Sequence, residues 1–101
     1  MEVWQNSMEL VMLIYKVTKK LPKEELFGLT NQLRRAVVSI ISNIVEGSAG
    51  KSTAERKRFY EVDSQLEISM RLEYLKEDSI EKIDELLNHN FALLTNLILK
   101  S

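Results

Sequence analysis

The sequence predicts an all-α fold: an up-down-up-down antiparallel four-helix bundle, built as one domain over residues 1–101. Three observations predict it. Apolar residues recur every three or four positions along four separate stretches, the period of a helix that buries one face. The three glycines and the single proline all fall between those stretches. No stretch alternates apolar and polar residues strongly enough to compete as a strand, and short loops favour antiparallel neighbours.

Helix 1 is expected from about Trp4 to Lys20. It ends before Leu21-Pro22, because a residue preceding proline is disfavoured in the α region. Lys23 to Phe27 make a short turn before Gly28. Helix 2 starts near Leu29 or Thr30 and closes at Gly47, a good left-handed C′ residue. Leu29, Leu33, Ala36, Val37, Ile40 and Ile44 form one seam, and Val38, Ile41 and Val45 a second beside it. Ser52 with Glu55 reads as a capping box that opens helix 3, which continues to about Lys76. Its inward residues are Phe59, Val62, Leu66 and Met70, with Leu72 or Tyr74 as the next candidates. Asp78 with Glu81 gives a second cap signature. Helix 4 then carries Ile80, Ile83, Leu87, Asn90, Leu94 and Leu97 at heptad-like spacing, widened by Leu86, Leu93 and Ile98.

Helix 1 has more apolar surface than one core can bury: Val3, Trp4, Met8, Leu10, Val11, Met12, Leu13, Ile14, Tyr15 and Val17 cover most of its circumference. Contiguous exposed apolar surface usually means association, so a homo-oligomer is expected.

Composition narrows the function classes. A chain that is 45% hydrophobic and 29% charged suits an ordered soluble domain. Having no cysteine, it has no disulfide or thiolate metal site. No apolar run is long enough to span a bilayer. Glu2 and Glu9 stand where a secretory signal would carry basic residues, so a cytoplasmic location is expected. A net charge of -1 gives no global attraction to nucleic acid or anionic membrane, and any such binding must come from local patches.

Candidate chemistry is sparse. Gly47 to Ser52 imitates the tail of a phosphate-binding loop, but its glycines are too close together and a helix precedes it. A helix end, a loop and a helix start explain the same letters. Ser39, Asn43 and Glu46 share a stripe of helix 2, and with an arginine (Arg34, Arg35 or Arg58) they read as a structural polar network. The assignment carried forward is Arg35, Ser39, Asn43 and Glu46. His89 is the only histidine, which leaves little material for nucleophilic triads. No catalytic residue, metal or cofactor is assigned, and the chain is read as a non-enzyme. Lys16, Lys19, Lys20 and Lys23 suit the negative end of helix 1's dipole. Lys51, Arg56, Lys57 and Arg58 lie at the start of helix 3, where that dipole would favour acids, so they are the candidate nucleic-acid-binding residues.

One further pattern runs through the first sixty residues: Trp4, Met8, Val11 and Tyr15; Leu21-Pro22-x-Glu24-Glu25-x-Phe27-Gly28-Leu29; Gln32-Leu33-Arg34-Arg35-Ala36; Ser39-Ile40; and Asn43-Ile44-x-Glu46-Gly47. It resembles the 23S ribosomal RNA intervening-sequence proteins, also called four helix bundle proteins, and Glu55, Arg58 and Phe59 continue the likeness. The resemblance implies a bacterial bundle that assembles into a ring, with a pentamer expected. It also implies kinship to the accessory variability determinant of diversity-generating retroelements, which looks like a nucleic-acid-binding partner of a reverse transcriptase. Expected partners are therefore further copies of the chain, then RNA or DNA, or alternatively another protein that the bundle docks as an adaptor.

Overall fold

The computed structural model describes residues 2–45 and 53–100, with side chains described except at positions 3, 43–45, 53–56, 91 and 93–100. Among the described residues the chain is all-helical: α1 (Glu2–Thr18), a 3-10 turn (Lys23–Glu25) and a π turn (Leu26–Thr30) leading into α2 (Asn31–Val45), then α3 (Thr53–Arg71) and α4 (Glu77–Lys100). Packing joins α1 to α2 and α4, α2 to α3, and α3 to α4. No described helix is long and apolar enough to cross a membrane.

The buried residues are those that helical spacing selects. Leu10, Ile14 and Val17 come from α1, and Leu33, Ala36, Val37 and Ile40 from α2. Phe59, Val62 and Leu66 come from α3, and Ile80, Ile83, Leu86 and Leu87 from α4. Each large aliphatic side chain in this cluster stabilises the fold by about 1.5–3 kcal/mol. Asn90 is fully enclosed on the α4 seam.

The second seam behaves differently. Val38 is exposed and Ile41 half-buried. On α1 the residues Trp4, Met8, Met12 and Tyr15 also stay exposed, Met12 at 68%. Their spacing of four, four and three makes them one stripe, and Tyr15 lines a groove with Arg34 and Val38.

Helix ends depart from expectation for local reasons. α1 stops at Thr18 rather than Lys20, where the amides of Lys20 and Leu21 turn back to the carbonyls of Val17 and Thr18 at 3.0 and 3.1 Å. Residues 23–30 form helical turns that run into α2, interrupted only at Gly28 (φ -110°, ψ -115°). A Cβ there would lie 2.6 Å from Glu25 Oε1, the oxygen that accepts from the Leu29 amide at 3.4 Å. α3 ends at Arg71, five residues short of Lys76. Glu73 adopts φ 63°; its amide bonds to Met70 O, and that of Tyr74 to Ser69 O, both at 2.9 Å. This is a Schellman cap with glutamate in the left-handed position. The cap leaves Leu72 half exposed and turns Leu75 into the core. α4 begins at Glu77, so Asp78 stands in its first turn rather than at its cap. The caps expected at Gly47 and Ser52 lie outside the described residues.

Left-handed backbone costs a side-chain-bearing residue about 1–2 kcal/mol, partly offset by glycine's greater freedom when unfolded. Glu73→Gly is therefore expected to stabilise the chain by about 0.5–1 kcal/mol in urea unfolding, whereas Glu73→Val should destabilise it.

Candidate functional site

The polar residues of α2 and α3 meet in an open groove of about 480 Å³, lined by Gln32, Arg35, Ser39, Arg58, Glu61 and Gln65. Gln65 Nε2 donates to Gln32 Oε1 at 3.2 Å, tying the two helices across it. Arg58 Nη1 donates to both Glu61 carboxylate oxygens at 3.4 and 3.3 Å. That pair is partly solvated, so it stabilises the fold by no more than about 1 kcal/mol. Glu61 offsets part of the Arg58 charge. Arg35 is exposed and Ser39 half-buried on the groove wall. The side chain of Asn43, and all of Glu46, lie outside the described residues.

The candidate basic cluster is described in part. Lys57 is exposed on α3 and Arg58 faces Glu61. Lys51 and the side chain of Arg56 lie outside the described residues, as does the Gly47–Ser52 loop.

A better-formed cluster holds α1 to α2. Arg34 Nε donates to Thr18 Oγ1 at 2.9 Å, and its guanidinium lies 4.7 Å from the centroid of the Tyr15 ring. Thr18, only 2% exposed, donates its hydroxyl proton to the Ile14 carbonyl at 2.7 Å. Accepting from Arg34 therefore leaves the hydroxyl satisfied in both roles. A cation here also meets the negative end of the α1 dipole. The sequence places Arg34 among the network candidates, but nothing in it points to Thr18, sixteen positions earlier.

Electrostatics divide the surface. The Asp84 carboxyl is raised from 3.8, first by burial, then by Asp63, Glu67 and Glu77. Its ionisation works against the fold, so its contribution turns favourable as pH falls through the raised value towards 3.8. Along α4, Glu77, Asp78, Glu81, Asp84 and Glu85 line a second open groove in which Lys76 is the only cation among the described residues. Tyr74 is also raised, by desolvation and then by Glu25, through its charge and as a hydrogen-bond partner. His89 is exposed and lies 2.8 Å from Glu2 Oε1, linking α4 to the start of α1. No group of three or more possible metal ligands converges among the described residues.

Compared with known families, the one described as 23S rRNA-intervening sequence protein matches residues 1–96. The chain belongs to that family. No curated protein matches it. The match extends the likeness seen in the first sixty residues across helices 3 and 4, where the motif is faint. In this intervening-sequence protein, Arg34 faces α1 and Gln32 faces α3, while Arg35 and Ser39 between them line the grooves on both sides.

Arg34→Ala should cost about 1–2 kcal/mol, combining a hydrogen bond from a charged donor with a cation–π contact. Arg34→Lys should recover less than half of that, because an ammonium cannot stack on Tyr15 and bond Thr18 with one planar group. Denaturant unfolding followed by circular dichroism measures both.

Proposed function

We propose that this intervening-sequence protein is a non-enzymatic, cytoplasmic scaffold: an up-down-up-down bundle that assembles into a homo-oligomeric ring, with a pentamer expected. Two contacts support the antiparallel order. Arg34 near the start of α2 bonds Thr18 at the end of α1, and Lys20, just after α1, bonds Ser79 at the start of α4. The observation that carries the oligomer is the exposed stripe of Trp4, Met8, Met12 and Tyr15, with Val38 beside it. The polar network of Arg35, Ser39, Asn43 and Glu46 is structural in this reading and fixes helix register. The shared groove wall of Arg35 and Ser39 supports that role.

Repeated basic clusters of Lys51, Arg56, Lys57 and Arg58 supply contacts to RNA or DNA in this proposal. Arg58 contributes least, since Glu61 already faces it. A protein-docking adaptor is the second reading. It draws support from Phe27, 87% exposed, and Leu26, 51% exposed, on the turn before α2.

Light scattering coupled to size exclusion is expected to give a multiple of the 11.7 kDa subunit mass at micromolar concentration, and Met12→Glu to lower it. A wild-type mass equal to one subunit at every concentration would end the scaffold reading. A fluorescence titration with single- and double-stranded oligonucleotides at two salt concentrations tests the ligand. Binding should weaken steeply with salt, and Arg56→Glu with Lys57→Glu should reduce both affinity and salt slope. No binding at low salt favours the adaptor.

A further inference from the structure

A net charge of -1 conceals two unlike faces. The exposed apolar stripe of α1 is bordered by Lys16 and Lys19, and across α2 by Arg35, all three exposed. The other face belongs to α3 and α4. There Glu77, Asp78, Glu81, Asp84 and Glu85 line one open groove, and Asp63, Glu67 and Glu77 lie close enough to Asp84 to oppose its ionisation. Tyr60 and Ile68, 61% and 46% exposed, stand on α3 beside those acids. Arg71 offsets Glu67 at 3.0 Å, leaving Asp63, Glu77 and Asp84 as the source of the negative field.

Resting on the homo-oligomer reading, we propose that the stripe face of one copy docks on the α3–α4 face of the next, a head-to-tail contact. Met8 and Met12 pack against Tyr60 and Ile68, while Lys16 and Lys19 meet Asp63 and Asp84. The alternative pairings are less favourable on charge, since Glu9 on α1 offsets only part of the positive charge beside the stripe. Two stripe faces brought together set Lys16, Lys19 and Arg35 against their own copies, and two α3–α4 faces do the same with carboxylates. Only the unlike pairing buries the stripe and lowers like-charge repulsion on both sides at once. A contact of this kind uses different surfaces on its two partners, so it repeats from copy to copy and forms a ring wherever the rotation closes.

Charge exchange between the faces tests the proposal, with mass read by light scattering and helix content by circular dichroism. The acid-face variant, Asp63→Lys with Asp84→Lys, and the stripe variant, Lys16→Glu with Lys19→Glu, should each raise the concentration needed for assembly at least tenfold. An equal mixture should assemble at a lower concentration than either variant alone, because a stripe between unlike neighbours again meets an α3–α4 face of opposite sign, while a five-membered ring keeps one like junction. The milder pair Asp63→Asn with Asp84→Asn, which introduces no new charge, should weaken assembly by a smaller factor and serves if the lysine variant loses helix content. An oligomeric wild type whose mass survives the acid-face changes overturns this contact and leaves the scaffold reading in place. A mixture that assembles no more readily than either variant alone also overturns it. A monomeric wild type overturns both.

Discussion

The α2 seam has to be covered from two sides, and that requirement organises the rest of the molecule. Leu33, Ala36, Val37 and Ile40 are almost completely enclosed, yet α2 is only 15 residues long and such a helix is marginal alone in water. α1 and α3 supply the cover, and α4 closes the remaining side by packing on both. The polar residues of α2 then fall at its two borders. Arg34 anchors one to the end of α1, and Gln32 anchors the other to Gln65 of α3. Register between helices is set at these borders, where side chains have direction, rather than in the aliphatic seam.

Much of this was legible in the sequence because burial follows the 3.6-residue period. Leu33, Ile40, Val62, Leu66, Ile83 and Asn90 all lie where spacing puts them, whereas helix 1 is apolar around most of its circumference and only packing singles out Leu10 and Ile14. Helix ends were less legible, because they depend on single residues whose type is uninformative. Glutamate is a poor signal for a left-handed cap, so Glu73 hides the end of α3, and helical spacing points to Leu72 where the structure buries Leu75. The candidate site was less legible still. Helical spacing groups Arg35 with Ser39, and the groove keeps them together. It cannot reveal that Arg34 reaches Thr18 or that Arg58 is matched by Glu61 on its own helix. The acidic residues are visible as a run of letters from Glu61 to Glu85, but their convergence needs α3 and α4 laid side by side.

Total charge is therefore a poor guide to how this protein meets other molecules. A near-neutral chain with separated fields orients before it touches, so its association rates should respond to ionic strength more than a pI near 5.9 suggests. Arg34 adds little to that field as a free contact, being held by Tyr15 and Thr18. Lys16, Lys19 and Arg35 carry most of it on the stripe side.

The exposed stripe also has a chemical consequence. The chain has no cysteine, so methionine is its only oxidisable sulfur residue. Met12 at 68% exposure and Met8 at 38% lie on the apolar face, whereas Met70 is partly covered against the core. Peroxide reaching the surface converts such side chains to sulfoxides, which are polar and bulkier. The core stays apolar while the exposed stripe becomes water-loving. Oxidant exposure thus acts first on the surface this protein presents to its surroundings, and only afterwards on its fold.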